Sequence, residues 1–189
     1  MEDIYLNLQY GKLYEKIEKG VACSWEYEGK EGHIKHLFIK RAIPQLVSGI
    51  QYYDLVTPYG YGGPHIVKLT NGYSKEMLVN AFQASFQRYC KEEHIVSEFI
   101  RFYPLSSNGI DFQSVYGSGL NRYTLGTNLR DYEDPIQMEF SKSCRKTIRQ
   151  VMKKGVTYRA TRSPRDINNF VDIYYLNMER KHADSYYFF

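Results

Sequence analysis

Cysteine is scarce in this sequence. The three cysteines among 189 residues lie far apart, at Cys23, Cys90 and Cys144, and form neither a disulfide framework nor the paired spacing of a structural zinc site. The five histidines contain no HExxH or similar pair. The sequence therefore predicts no metal site.

Long apolar runs and targeting segments are also missing. No apolar stretch approaches the roughly 20 residues that a membrane-spanning helix needs. The first ten residues carry two acidic residues and no basic one, which does not fit a secretory signal peptide. We therefore expect no transmembrane segment and a cytoplasmic location.

The common nucleotide-binding and nucleophile motifs are absent as well. There is no GxxxxGK[ST] and no GxSxG, and the short GxG pieces at residues 60–62 and 117–119 do not lead directly into a helix. Ordinary turns explain both pieces, so the sequence predicts no resident cofactor.

The apolar periodicity predicts an α/β or α+β fold with an antiparallel-rich sheet. An acidic connector at residues 131–135 predicts a domain boundary, with a first domain over 1–134 and the beginning of a second over 135–189. Predicted helices cover residues 6–19, 75–92, 141–154 and 164–182, with Ser74 and Ser163 as N-caps. Predicted strands cover residues 21–28, 33–43, 52–57, 95–103 and 156–162, with strand-like pieces over 115–129.

Tyrosine is abundant, with 19 residues, and two of them lie in an unusual loop. Residues 58–64 consist entirely of proline, glycine and tyrosine, which forbids regular structure there. Glycines let the backbone approach a ligand closely, and tyrosines supply ring faces and hydroxyls. The loop is therefore either a ligand contact or a tight crossover packed on the sheet.

Acidic residues are absent from residues 141–165, which contain nine lysines and arginines, although the net charge of the chain is only +4. The other 16 basic residues are outnumbered by 21 acidic ones. The helical spacing predicts one basic face, which is either solvated or binds a phosphate-bearing partner. That face comprises Lys142, Lys146, Arg149 and Lys153, with Arg145 beside it. Apolar side chains on the same helix should face a core, namely Cys144, Ile148, Val151 and Met152.

Four segments carry a resemblance to a known family. The first is Ile4-Tyr5 through Tyr10-Gly11-Lys12-Leu13-Tyr14, and the second is the stretch over residues 54–64. The third is Ile100-Arg101-Phe102-Tyr103-Pro104-Leu105. The fourth runs from Phe140-Ser141-Lys142 to Val156 and continues into Met178-Glu179-Arg180. In this order they resemble the first half or so of the FemABX family, the peptidoglycan-bridge aminoacyltransferases among the GNAT-like acyltransferases.

The resemblance implies two GNAT-like domains around a groove, each a mixed sheet flanked by helices. It implies transfer of an amino acid from aminoacyl-tRNA to an amine of a UDP-linked or lipid-linked muramoyl-peptide, with aminoacyl-tRNA or acyl-CoA as co-substrate and no cofactor. We expect the second domain to be truncated here and the fragment to be inactive by itself, because most catalytic groups of the family would lie beyond residue 189.

The resemblance also implies roles for individual residues. Lys12 falls where the family has a lysine that contacts the phosphates of the acceptor, although a solvated helix residue fits its position equally well. Tyr103 falls where some members have an aspartate proposed as catalytic, and a tyrosine, with a reference pKa of about 10, cannot replace a carboxylate base. The other implied substrate contacts are Tyr59, Tyr61, Gly62 and Arg101, and the implied tRNA contacts are Lys142, Arg145, Lys146, Arg149 and Lys153.

Two other functions remain open at this stage. One is a generic GNAT-like N-acyltransferase that uses acyl-CoA. The other is a non-catalytic module that holds RNA or another polyanion through the basic face, with an affinity that falls steeply with salt.

Overall fold

The computed structural model describes residues 3–121, 123–162 and 164–188. It divides the chain into two compact units, with the division between residues 122 and 123. The predicted domain boundary lies between residues 134 and 135, so the acidic stretch 131–134 falls in the second unit. The first unit contains the sheet, and the second contains helices.

The first unit is built on a five-stranded mixed sheet. Its strands are β1 (Gly20–Gly29), β2 (Gly32–Ala42), β3 (Tyr53–Val56), β4 (His65–Leu69) and β5 (Ile95–Phe99). β1 pairs antiparallel with one edge of β2. Both β3 and β4 pair antiparallel with the other edge of β2, and β5 is parallel to β3. The predicted mixed α/β class is confirmed, whereas β4 was not predicted and β5 is shorter than predicted.

β3 and β4 share one edge of β2 but pair with different halves of it. β3 pairs with residues 39–42 of β2, and β4 pairs with residues 32–35. Residues 36–38 lie between the two pairings. The chain leaves the sheet at this interval through the glycine- and proline-rich loop at residues 58–64, which is irregular as predicted.

The helices of the first unit flank the sheet. They are α1 (Leu8–Lys12), α2 (Glu15–Glu18), α3 (Lys75–Glu92) and α4 (Asn108–Asp111). α3 is confirmed, and Ser74 caps it as predicted, its Oγ accepting from the Met77 N–H at 3.2 Å. The prediction of one continuous helix over residues 6–19 is wrong: a 3₁₀ turn (Ile4–Leu6) comes first, and a break separates α1 from α2. Leu13 lies at this break and is 71% exposed.

One face of the sheet packs against α3. Ile34 and Phe38 alternate along β2 and are fully buried there. Phe82 and Phe86 stack with ring centroids 5.4 Å apart, and the Trp25 ring lies 5.0 Å from that of Phe86. Burying each such side chain stabilises the fold by about 2 kcal/mol. The remaining members of this core are Leu55, Leu78, Val79 and Phe112.

The opposite face packs against α1 and α2. A Cβ added to Gly11 would lie 3.1 Å from the Cβ of Ala22, so the glycine lets α1 approach β1 closely. Arg41 on β2 donates two hydrogen bonds to the Asp54 carboxylate, at 2.9 and 2.8 Å, and a third to Glu18 at 3.1 Å. This guanidinium joins β2, β3 and α2.

A polar pair lies inside the α3 face of the sheet. His36 on β2 is fully buried, and its Nε2 lies 2.5 Å from Oε1 of Glu98 on β5. Burial, and after it the neighbouring Glu98, raise the pKa of the Tyr116 hydroxyl, while Nδ1 of His36 has no hydrogen-bond partner among the described residues. Because a buried carboxylate is costly without partners, this contact fixes β5 against a strand with which it does not pair directly.

We expect His36→Ala to lower the free energy of unfolding by about 3–5 kcal/mol, because it leaves the nearly buried Glu98 carboxylate without its imidazole partner. The matched control is His33→Ala on the same strand. His33 also contacts a glutamate, Glu26, at 2.9 Å, but that pair is partly exposed and its loss should cost less than about 1 kcal/mol. Urea denaturation measures both values, and equal losses would contradict the assigned role of the buried pair.

Two groups packed near this core favour their protonated forms. Burial, more than the nearby Glu98, raises the pKa of the Cys90 thiol from 9.0 to about 11, and burial raises the pKa of the Tyr89 hydroxyl from 10.0 to about 12. The folded chain therefore holds both protons more tightly than the unfolded chain does. The stability that this contributes is complete below the unfolded pKa values and is lost as the pH rises through the folded ones.

We therefore expect the midpoint of urea unfolding to fall as the pH rises from about 9 to 11. Cys90→Ala should make this fall shallower, because it removes one of the groups that releases a proton on unfolding in that range. Cys144→Ala, at an exposed thiol, is the matched control and should leave the slope unchanged. Denaturation curves that coincide across this pH range would refute the expectation.

The second unit contains three α-helices among its described residues, α5 (Pro135–Glu139), α6 (Lys142–Lys153) and α7 (Asn168–Arg180), followed by a 3₁₀ turn (Ser185–Tyr187). α6 is confirmed, while α7 begins later than predicted and the predicted cap Ser163 lies outside the described residues. The predicted strand over residues 156–162 is wrong, since no described residue there is in a strand. The described part of this unit contains no strand with which residues 156–162 could pair their backbone groups.

No described residue of the second unit is buried. Val151 and Met152 of α6 are 38% and 55% exposed, and Cys144 is exposed as well. The prediction that these side chains face a core is therefore wrong, because no described element covers them. α7 carries a similar set of exposed apolar side chains, namely Phe170, Ile173 and Leu176.

None of the helices in the described part of the chain is both long enough and apolar enough to cross a membrane.

Candidate ligand-binding site

The loop at residues 58–64 is held against the segment that follows β5. The Thr57 N–H donates to the Phe99 carbonyl at 3.2 Å, and the Gly62 N–H donates to the Arg101 carbonyl at 2.8 Å. The Arg101 N–H in turn donates to the buried Thr57 hydroxyl at 3.3 Å. These bonds continue the parallel pairing of β3 and β5 beyond the ends of both strands.

A buried asparagine fixes the far end of the loop. Asn108, at the start of α4, is 4% exposed, and its Nδ2 donates to the carbonyls of Gly62 at 2.8 Å and Pro64 at 3.3 Å. Its Oδ1 accepts from the Tyr103 N–H at 3.2 Å and from the Ser106 hydroxyl at 2.9 Å. One side chain therefore connects the loop to the backbone of Tyr103.

Six tyrosines form a cluster over the loop, the tyrosine cluster. Two of its contacts join distant segments: the Tyr5 ring lies 5.1 Å from that of Tyr103 and 5.9 Å from that of Tyr61, centroid to centroid. The Tyr10 hydroxyl donates to the Tyr59 carbonyl at 2.7 Å, which attaches α1 to the loop. The cluster comprises Tyr5, Tyr10, Tyr14, Tyr59, Tyr61 and Tyr103.

The close approach of Tyr5 depends on a glycine. Gly60 has a φ of +99°, and a Cβ built there would lie 2.8 Å from the Tyr5 ring. The conformation and the contact both exclude a larger residue. Burial, and after it the neighbouring Tyr103 and Tyr61, raise the pKa of the Tyr5 hydroxyl, which therefore stays protonated and can donate a hydrogen bond.

A small depression lies beside the tyrosine cluster. Four of the residues that line it carry ionisable side chains, namely Asp3, Tyr5, His65 and Tyr103. The Asp3 Oδ1 accepts from the Tyr5 N–H at 3.0 Å, which positions the carboxylate at the start of the 3₁₀ turn. The depression therefore combines an anion, an imidazole and two phenols. Its other lining residues are Leu6, Gly62, Gly63 and Asn108.

The structure brings together some of the residues predicted from the sequence and leaves others apart. Tyr59, Tyr61 and Tyr103 belong to the tyrosine cluster, but of these three only Tyr103 lines the depression, where Gly62 also lies. Lys12 is exposed at the end of α1, which contributes Tyr10 to the cluster. Arg101 is exposed too, its guanidinium 5.6 Å from the centroid of the Phe99 ring.

Sequence reasoning missed three residues of this site. Asp3 caps the 3₁₀ turn that contains Tyr5, both before the start of the predicted helix, and His65 lies on the strand that was not predicted. The neighbouring loop of tyrosine, glycine and proline was the only sequence signal for this region. No local pattern connects residues 3–5 with residues 65 and 103.

The basic face of α6 forms a separate candidate, in the second unit. Lys142, Lys146, Arg149 and Lys153 are all exposed on α6. The partly buried Arg145 donates from Nη1 to the Gln137 carbonyl, and the Arg149 Nε donates to the Arg145 carbonyl at 3.2 Å. Arg145 is therefore held by a hydrogen bond within its own unit, while the side chains of the four members of the face are exposed to solvent.

Among the described residues, one group of three side chains has the types and spacing that could hold a metal ion. Ligand atoms of Glu26, Glu28 and His33 lie within 4.8 Å of one another on the exposed end of the β1–β2 hairpin. The Nζ atom of Lys35 lies 3.9 Å from Glu26, however, and neutralises part of the charge that would attract a cation. The cluster is an ion-pair network on a solvated strand face.

Comparisons of the chain with family models, with curated proteins and with solved structures found no match.

We expect Gly60→Ala to lower the free energy of unfolding by about 2–4 kcal/mol, the sum of left-handed backbone strain and displacement of the Tyr5 ring. Gly72→Ala is the matched control, since Gly72 has a φ of +88° but nothing within 4 Å of its built Cβ. That variant should lose only about 1–2 kcal/mol. Urea denaturation and the near-ultraviolet tyrosine signal report both effects, and equal behaviour of the two variants would rule out tight packing of the cluster.

Proposed function

We propose that the chain functions in N-acyl transfer like the FemABX enzymes that it resembles, with its acceptor amine bound in the depression beside the tyrosine cluster. The observation that carries the proposal is the combination of Asp3, His65, Tyr5 and Tyr103 around one small depression. The four resembling segments and the mixed sheet flanked by helices support it.

The depression suits the chemistry of an amine. A carboxylate and the faces of tyrosine rings attract an ammonium group, and these are the groups that Asp3, Tyr5 and Tyr103 supply. The amine must lose a proton before it attacks the acyl carbon, and we assign the role of proton acceptor to the His65 imidazole. Tyr103 then serves as a hydrogen-bonding and stacking group.

The rest of the acceptor extends towards α1 in this proposal. Lys12, exposed at the end of α1, binds the phosphates of a UDP-linked or lipid-linked muramoyl-peptide as a flexible point charge. The Tyr59 ring is 45% exposed and offers a stacking surface. It lies near α1 because the hydroxyl of Tyr10 on α1 donates to the Tyr59 carbonyl. Arg101, exposed beyond β5, offers a further positive charge.

The donor in this proposal is an aminoacyl-tRNA, whose phosphates bind the basic face of α6. In the reaction the amine forms a bond to the acyl carbon, the ester bond to the tRNA breaks, and the amine proton leaves with the base. Alternatively, an acyl-CoA supplies the acyl group, since its phosphates would be attracted by the same charges.

Calorimetric titration of the whole chain with UDP-muramoyl-pentapeptide tests the acceptor site. We expect saturable binding that weakens about ten-fold in Lys12→Ala, because a charged contact to phosphate is lost, and weakens similarly in Tyr103→Ala. Lys30→Ala removes an exposed lysine from the β1–β2 turn and should bind like the unaltered chain. The proposal fails if the folded chain shows no binding, or if Lys30→Ala weakens it as much as Lys12→Ala.

A further inference from the structure

The most unusual exposed surface outside the depression is that of α6. Its basic residues cluster on one side of the helix, and its apolar residues cluster on the other. At 100° per residue, Cys144, Ile148 and Val151 lie on the side opposite Lys142, Lys146 and Arg149. Both sides are largely exposed to solvent, with Ile148 half-buried.

The exposed apolar side distinguishes between two possible anionic partners, an RNA and a membrane surface. An RNA engages only the basic face and gains nothing from solvent-exposed Val151 and Met152. A membrane surface uses both sides, because the apolar side chains enter the boundary of the acyl chains while lysines and arginines extend to anionic headgroups. Val151 and Met152 are 38% and 55% exposed, which fits the second case.

The charge of the surrounding segment complements an anionic membrane. Residues 141–165 contain nine basic residues and no acidic residue to repel phosphate headgroups. Near an anionic bilayer each lysine or arginine strengthens attachment by about five-fold. A helix of this composition, basic on one side and apolar on the other, is typical of segments that lie in the membrane interface.

We propose that α6 attaches the chain to the surface of membranes rich in anionic phospholipids, lying in the interface rather than crossing the bilayer. The apolar residues Cys144, Ile148, Val151 and Met152 enter the interface, and Lys142, Lys146, Arg149 and Lys153 bind headgroup phosphates. The proposal requires neither the depression nor any substrate, but headgroup phosphates and the aminoacyl-tRNA of the proposed function would compete for the basic face of α6, so the RNA titration below decides between the two occupants.

Co-sedimentation of the whole chain with lipid vesicles tests the proposal. Vesicles of phosphatidylcholine alone are compared with equimolar phosphatidylcholine and phosphatidylglycerol. We expect binding about ten-fold or more tighter to the anionic vesicles. The double variant Lys146→Gln with Arg149→Gln should lose about 25-fold on anionic vesicles and bind phosphatidylcholine as before.

A second double variant tests the apolar side. Val151→Ser with Met152→Ser should weaken binding to anionic vesicles about ten-fold, because it removes the inserted side chains. Its matched control is Val67→Ser with Met77→Ser in the first unit, where the same residue types are 51% and 50% exposed. The control should bind vesicles like the unaltered chain, and far-ultraviolet circular dichroism should show that all variants keep their helices.

Titration of the same proteins with single-stranded RNA completes the design. Val151→Ser with Met152→Ser should bind RNA like the unaltered chain, so that only vesicle binding depends on the apolar side. The proposal is overturned if this variant binds anionic vesicles unchanged, since attachment would then be purely electrostatic. It is overturned equally if the chain shows no preference for anionic vesicles, or binds RNA more tightly than vesicles at the same salt concentration.

Discussion

The shared edge of β2 constrains the rest of the first unit. Because β3 and β4 pair with its two halves and leave residues 36–38 between them, the chain must leave the sheet and return within eight residues, 57–64. The segment that makes this excursion is rich in glycine and proline, and its carbonyls need partners outside the sheet. Asn108 supplies them on one side of the interval. His36 lies within the interval and reaches Glu98 on β5, so the same irregularity positions the buried polar pair.

The parts of this unit that could be predicted from the sequence are those with local causes. The β1–β2 hairpin follows from alternating side chains around a glycine-flanked turn, and α3 follows from its Ser74 cap and its apolar periodicity. β4 and the role of Asn108 could not be predicted in this way. The role of Asn108 depends on its hydrogen bonds to carbonyls 46 and 44 residues away in sequence. No short stretch of sequence contains both partners of such a bond.

The candidate site also contains residues that the local sequence identified and residues that only long-range contacts identify. The composition of residues 58–64 identified Tyr59, Tyr61 and Gly62 as unusual before their surroundings were known. The tyrosine cluster, however, is completed by Tyr5 and Tyr10, which the fold brings from the other end of the unit. The groups that can bind a charge and move a proton are Asp3 and His65. Neither has a neighbour in sequence that marks it, so their chemistry appears only once the strands are paired.

The two units differ in how their apolar residues are placed. In the first, alternate residues of β2 are buried against α3, including His36, so stability comes from internal packing. In the second, no described residue is buried, and α6 presents apolar and basic sides to solvent together. Exposed apolar side chains that are grouped on one side of a helix mark an interaction surface. The nine basic residues over 141–165 favour an anionic partner for that surface, and the proposed phospholipid interface is both apolar and anionic.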